Sequence, residues 1–78
     1  MNQYNDKGQF HGYWEHHYLC GELLGKGNYV NGKRYGYWEE FYRKKKLYWS
    51  GSFDNGKRIG YWVWYGKDGK LLFKEFYL

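Results

Sequence analysis

The residues best equipped for chemistry lie early in the chain, where His11, His16 and His17 are the only histidines and Glu15, Cys20 and Glu22 stand beside them. Adjacent residues of an extended strand point to opposite faces, so His16 and His17 reach one ion together only across a bulge. A tetrahedral or octahedral metal site also needs a recurring spacing of ligands, which this cluster lacks. Cys20 has no neighbouring sequence or helix N-terminus to lower its thiol pKa, and Glu39 and Glu40 are neighbours on opposite faces rather than a facing pair. The glycines are dispersed and open no helix, so they form no phosphate cradle. No catalytic residue, metal ligand or cofactor is expected, and the chain reads as a non-enzyme.

The cations make a better case. The net charge is +5, from 13 Lys/Arg against 8 Asp/Glu, and the excess lies in residues 40–78. Lys33-Arg34 and Lys57-Arg58 recur at one interval and are expected to line one long edge of a sheet, with Arg43 to Lys46, Lys67 and Lys70 along the other. Aromatic residues are interleaved with them. A ring such as Tyr35, Tyr48 or Trp64 beside a Lys or Arg can stack on a base while the cation meets a phosphate. Lys33, Arg34, Tyr35, Tyr48, Lys57, Arg58 and Trp64 are therefore the expected ligand-binding residues.

What positions these residues is a repeat. Gly-Tyr-Trp occurs at Gly12-Tyr13-Trp14, Gly36-Tyr37-Trp38 and Gly60-Tyr61-Trp62, a period of 24 residues without insertion. The same offset aligns Gly8, Gly32 and Gly56, then Tyr29, Phe53 and Tyr77, and then Leu23, Leu47 and Leu71. So short a period marks a repeat architecture, in which equivalent residues form rows on one surface. One domain, 1–78, is expected, with units at about 8–31, 32–55 and 56–78.

Each unit reads as a β-hairpin. Aromatic residues are 27% of the chain and favour pleated surfaces, while 12 glycines and no proline punctuate the turns. Asn31-Gly32 and Asn55-Gly56 are strong two-residue turn signals. An all-β, elongated antiparallel meander of about six strands follows, near 12–19, 22–30, 36–43, 46–54, 60–66 and 70–77, with residues 55–60 as a connection. Alternation places Trp14, Trp38 and Trp62 in one ladder and Tyr13, Tyr37 and Tyr61 in another on the opposite face, the tryptophan side being the expected core.

Gly36-Tyr37-Trp38-Glu39-Glu40-Phe41-Tyr42 and Gly51-Ser52-Phe53-Asp54-Asn55-Gly56-Lys57-Arg58-Ile59-Gly60-Tyr61-Trp62 resemble MORN repeats (membrane occupation and recognition nexus), in the bacterial and viral wording Gly-x-Tyr-x-Asn-Gly-Lys-x-x-Gly-x-Trp. The resemblance covers about residues 8–78. It implies hairpins that continue one another into a twisted sheet, and a binding or scaffolding role with no particular ligand. The chain departs from the pattern at Gln9-Phe10, in place of the basic pair, and at Cys20-Gly21 and Lys44-Lys45, in place of the usual hairpin turn.

The final strand, Lys70 to Leu78, is apolar on both faces. A bare apolar edge recruits another chain, so self-association through Leu71, Phe73, Phe76 and Leu78 is expected. A single cysteine and no apolar run of spanning length point to a cytoplasmic protein. The functional expectation is a small, homo-oligomeric binding protein that captures a nucleotide, a phosphate-bearing small molecule or an acidic protein, in a sequestering or neutralising, antitoxin-like role. A membrane surface offers the same phosphate chemistry, and nucleic acid is not favoured. The alternative is a scaffold component whose aromatics serve only subunit packing.

Overall fold

A computed structural model describes residues 3–78, which form one open antiparallel sheet. Its strands are β1 (Gln3–Tyr4), β2 (Phe10–His17), β3 (Leu23–Val30), β4 (Lys33–Tyr42), β5 (Lys46–Asp54), β6 (Lys57–Tyr65) and β7 (Leu71–Tyr77). Each pairs only with its neighbours in sequence, so the chain is a meander. The extents of 41 × 36 × 12 Å are those of a single layer. None of the described residues forms a helix long and apolar enough to cross a membrane.

The six expected strands are present, with a short β1 added before them. The strands after the Asn-Gly signals also begin earlier than expected. Asn31 and Asn55 take φ of 49° and 53° and their glycines 85° and 86°, which closes each turn in two residues. Lys33, Arg34, Lys57 and Arg58 therefore lie within β4 and β6 rather than in loops. Alternation then sends the two members of each basic pair to opposite faces.

The Gly-Tyr-Trp sequence sits at a bulge. Lys26 pairs with Glu39 and Asn28 with Tyr35, so Gly27 alone faces Gly36-Tyr37-Trp38, and Gly51 faces Gly60-Tyr61-Trp62 in the same way. Gly36 and Gly60 have φ of 76° and 71° there, a backbone conformation that side-chain-bearing residues adopt only at a cost. The bulge lays each indole flat across the preceding strand. A Cβ on Gly27 or Gly51 would fall inside the rings of Trp38 or Trp62.

With no second layer, the core is made by aromatic rings covering one another on the expected tryptophan face. Trp14, Tyr29, Trp38, Trp49, Phe53 and Trp62 are buried, Trp38 and Trp62 almost completely. The indole Nε1–H groups of Trp14, Trp38 and Trp62 donate to the carbonyls of Gln3, Asn28 and Ser52 at 2.8, 2.8 and 3.1 Å, so burial leaves none of these donors unpaired. The opposite face carries Tyr13, Tyr37 and Tyr61, all exposed.

Candidate anion-binding cleft

The meander places its turns on two edges. One edge holds the Asn-Gly turns, and the other holds the turns after β2, β4 and β6. Six cations, Arg43 to Lys46 with Lys67 and Lys70, gather on the second edge against two carboxylates, Glu22 and Asp68. Both carboxylates are engaged with backbone: Glu22 Oε1 accepts from the Lys44 N–H and Asp68 Oδ1 from the Lys70 N–H, each at 3.0 Å. This edge thus carries six cations against two carboxylates, an excess of positive charge along one side of the sheet.

Repetition explains how the middle turn differs. In the first and third turns the N–H of Gly21 donates to the Tyr18 carbonyl, and that of Gly69 to the Gly66 carbonyl, both at 2.9 Å, with φ of 95° and 85° at the two glycines. The equivalent residue in the second turn is Lys45, which takes φ of 60°, and Lys44 before it takes 64°. Two successive lysines in the left-handed region carry strain on the order of 1–2 kcal/mol each. The same tight turn leaves Arg43, Lys44, Lys45 and Lys46 exposed in succession. Strain of this kind is a recurrent mark of functional sites.

Tyr18, Tyr42, Arg43, Lys44, Lys46 and Lys67 line a cleft of about 430 Å³ on this edge. Tyr18 and Tyr42 hold one position of successive units, and each anchors its hydroxyl on the next unit's backbone. Tyr18 Oη donates to the Phe41 carbonyl at 2.6 Å, and Tyr42 Oη to the Tyr65 carbonyl at 3.0 Å. The rings are thereby fixed. Tyr48 backs Tyr42 at 4.6 Å, the Arg43 guanidinium lies 5.6 Å from the centre of the Tyr18 ring, and Lys46 Nζ reaches the Lys67 carbonyl at 3.3 Å. The result is a cationic cleft with rigid aromatic walls.

The other expected binding residues are dispersed. Arg34 and Arg58 serve the core: their guanidinium carbons lie 4.6 and 4.9 Å above the rings of Trp38 and Trp62. Arg34 also pairs with Glu40 at 3.6 Å, and Arg58 donates to Tyr77 Oη at 3.2 Å. Phe10 holds the equivalent place in the first unit, stacked on Trp14 at 4.0 Å. One planar group thus replaces another in the same stack. Trp64 packs on Phe73 at 4.5 Å, whereas Lys33, Lys57 and Tyr35 are exposed on the sheet. Of the expected set only Tyr48 adjoins the cleft. Tyr18 and Tyr42 had a signal in the sequence, since both directly precede a turn at the same repeat position.

His16 is a packing residue, stacked between Trp14 at 5.6 Å and Trp38 at 6.2 Å, with Nε2 2.9 Å from Tyr29 Oη. Burial first, and then the Arg34 charge, hold its pKa below the ordinary value of 6.5. Among the described residues no three His, Cys, Asp or Glu side chains come together to hold a metal ion. Cys20 is exposed in its turn. Leu71, Phe73, Phe76 and Leu78 are exposed along β7.

The chain matches no protein-family model, no curated protein and no solved structure.

Proposed function

We propose that this protein is a non-enzymatic binding module that captures a phosphate-bearing small molecule, such as a nucleotide, in the cleft between Tyr18, Tyr42 and the Arg43–Lys46 turn. The carrying observation is the convergence of Arg43, Lys44, Lys46 and Lys67 on two anchored tyrosine rings. Cations draw the phosphates and the rings offer a stacking surface for a base. Sequestration in the cytoplasm needs nothing beyond such capture. The MORN-like repeat supports the reading as a frame that sets binding groups in rows.

Calorimetric titration with ATP and with inorganic pyrophosphate at low salt tests it. Both probes should bind, with ATP tighter by the stacking contribution, on the order of 1–3 kcal/mol. The triple substitution Lys44→Glu, Lys46→Glu, Lys67→Glu should remove both. Retained binding in that variant, together with loss in Lys33→Glu, Lys57→Glu, would move the site to the other set of cations.

The exposure of Leu71, Phe73, Phe76 and Leu78 favours a second reading, a scaffold that self-associates through β7. There, truncating those four side chains should abolish assembly while the lysine substitutions leave it intact.

A further inference from the structure

Neighbouring units are joined by a joint of three parts, seen in full twice among the described residues. An indole lies over a glycine, Trp38 over Gly27 and Trp62 over Gly51. Its Nε1–H donates to the carbonyl of the next residue, Asn28 or Ser52. The ring after that, Tyr29 or Phe53, meets the indole edge-on at 5.0 Å. At the same period β7 offers Glu75, Phe76 and Tyr77. The carbonyl and the ring are present, but the glycine is replaced by glutamate.

The other end of the sheet carries the complementary half. Trp14 is held by a stub, β1, through the Gln3 carbonyl at 2.8 Å and the Tyr4 ring edge-on at 5.3 Å. β1 pairs with Phe10 and His11 alone, so among the described residues no strand covers the outer edge of β2 from Gly12 to His17. The β7 strand of a second copy has the form to replace β1 there. Such a contact is head-to-tail, and it leaves both ends of the product open to further addition.

We infer that Glu75 is the stop residue of the array, which keeps β7 of one molecule from receiving Trp14 of another. The obstacle is steric. At Gly27 and Gly51 a single Cβ already collides with the indole, so no rotamer of a glutamate clears the place. Its carboxylate is drawn back along β7, where Tyr77 Oη donates to Glu75 Oε1 at 3.3 Å while accepting from Arg58 at 3.2 Å. This inference is independent of the anion cleft and concerns only head-to-tail growth along the repeat axis.

Multi-angle light scattering over a wide concentration range, on Glu75→Gly, Glu75→Ala and Glu75→Gln, tests it. Glu75→Gly should gain mass steadily with concentration, whereas the other two should keep the wild-type mass, because a Cβ alone suffices to block. Growth of Glu75→Gln to match Glu75→Gly would make charge the stop, and growth of Glu75→Ala would show that a Cβ does not block; either would overturn the steric account. A folded Glu75→Gly with unchanged mass would overturn the inference altogether. If Glu75→Gly weakens β7, a fourth unit appended covalently as a second copy of residues 55–78 gives the same answer. Its protease resistance should require Gly at 75, and resistance with Glu75 retained would refute the stop.

Discussion

The guanidinium carbon of Arg34 lies 4.6 Å from the ring centre of Trp38 and 5.7 Å from that of Trp49, filling the step between indoles of successive strands. In a sheet without a second layer, such a cation stands in for the missing lid. It covers aromatic faces with its planar head and apolar stem. Arg34→Ala should therefore cost about 1–2 kcal/mol in urea denaturation. Lys33→Ala, one residue earlier on the opposite face, should stay within about 0.5 kcal/mol of wild type. Equal effects at the two positions would remove Arg34 from the core.

The depressed pKa of His16 makes stability depend on pH in a defined direction. The unfolded chain binds the proton more tightly than the folded one, so stability is full above the unfolded value of 6.5 and falls as pH drops through it towards the folded pKa. Thermal unfolding from about pH 7 down to about pH 5 should show a declining midpoint. His16→Phe keeps a ring between Trp14 and Trp38 and cannot titrate, so its profile should be flatter over that range. Parallel profiles would place the dependence elsewhere.

Lys45 occupies the turn position that Gly21 and Gly69 hold in the other units. Lys45→Gly should stabilise the fold by about 0.5–1 kcal/mol, the relief of left-handed strain less the added freedom of glycine in the unfolded chain. Lys44, Lys46 and Lys67 remain in this variant, so pyrophosphate affinity should change less than in the triple glutamate variant. Denaturation and titration of one preparation report both quantities, and a loss of stability would show that the strained turn is held by contacts of the Lys45 side chain.

The frame of the molecule was legible because it rests on local rules. Gly-Tyr-Trp at a fixed interval, Asn-Gly before each return strand and the alternation around Trp38 specify the meander and its buried face. The parts played by the binding candidates were less legible, since they depend on where strands begin. Starting β4 at Lys33 rather than Gly36 turns Arg34 from a loop cation into a half-buried strand residue that covers Trp38, and this follows from the two-residue closure of the turn at Asn31. The tyrosine walls were visible as a row but had no meaning until their hydroxyls were seen to bind the next unit's backbone. Glu75 could be aligned with Gly27 and Gly51 from the start. Only the indole lying over those glycines showed why the difference matters.

Strict pairing of each strand with its sequence neighbours also bears on how the chain reaches this shape. No step of assembly has to close a long loop, and each hairpin can form before the next is available, so the entropic barrier to ordering is divided into small, similar portions. Order can begin at any unit and spread in both directions, with the stacked indoles as the coupling between units. Cooperativity then resides in Trp38 and Trp62, which lock each unit to the one before it, more than in any common interior.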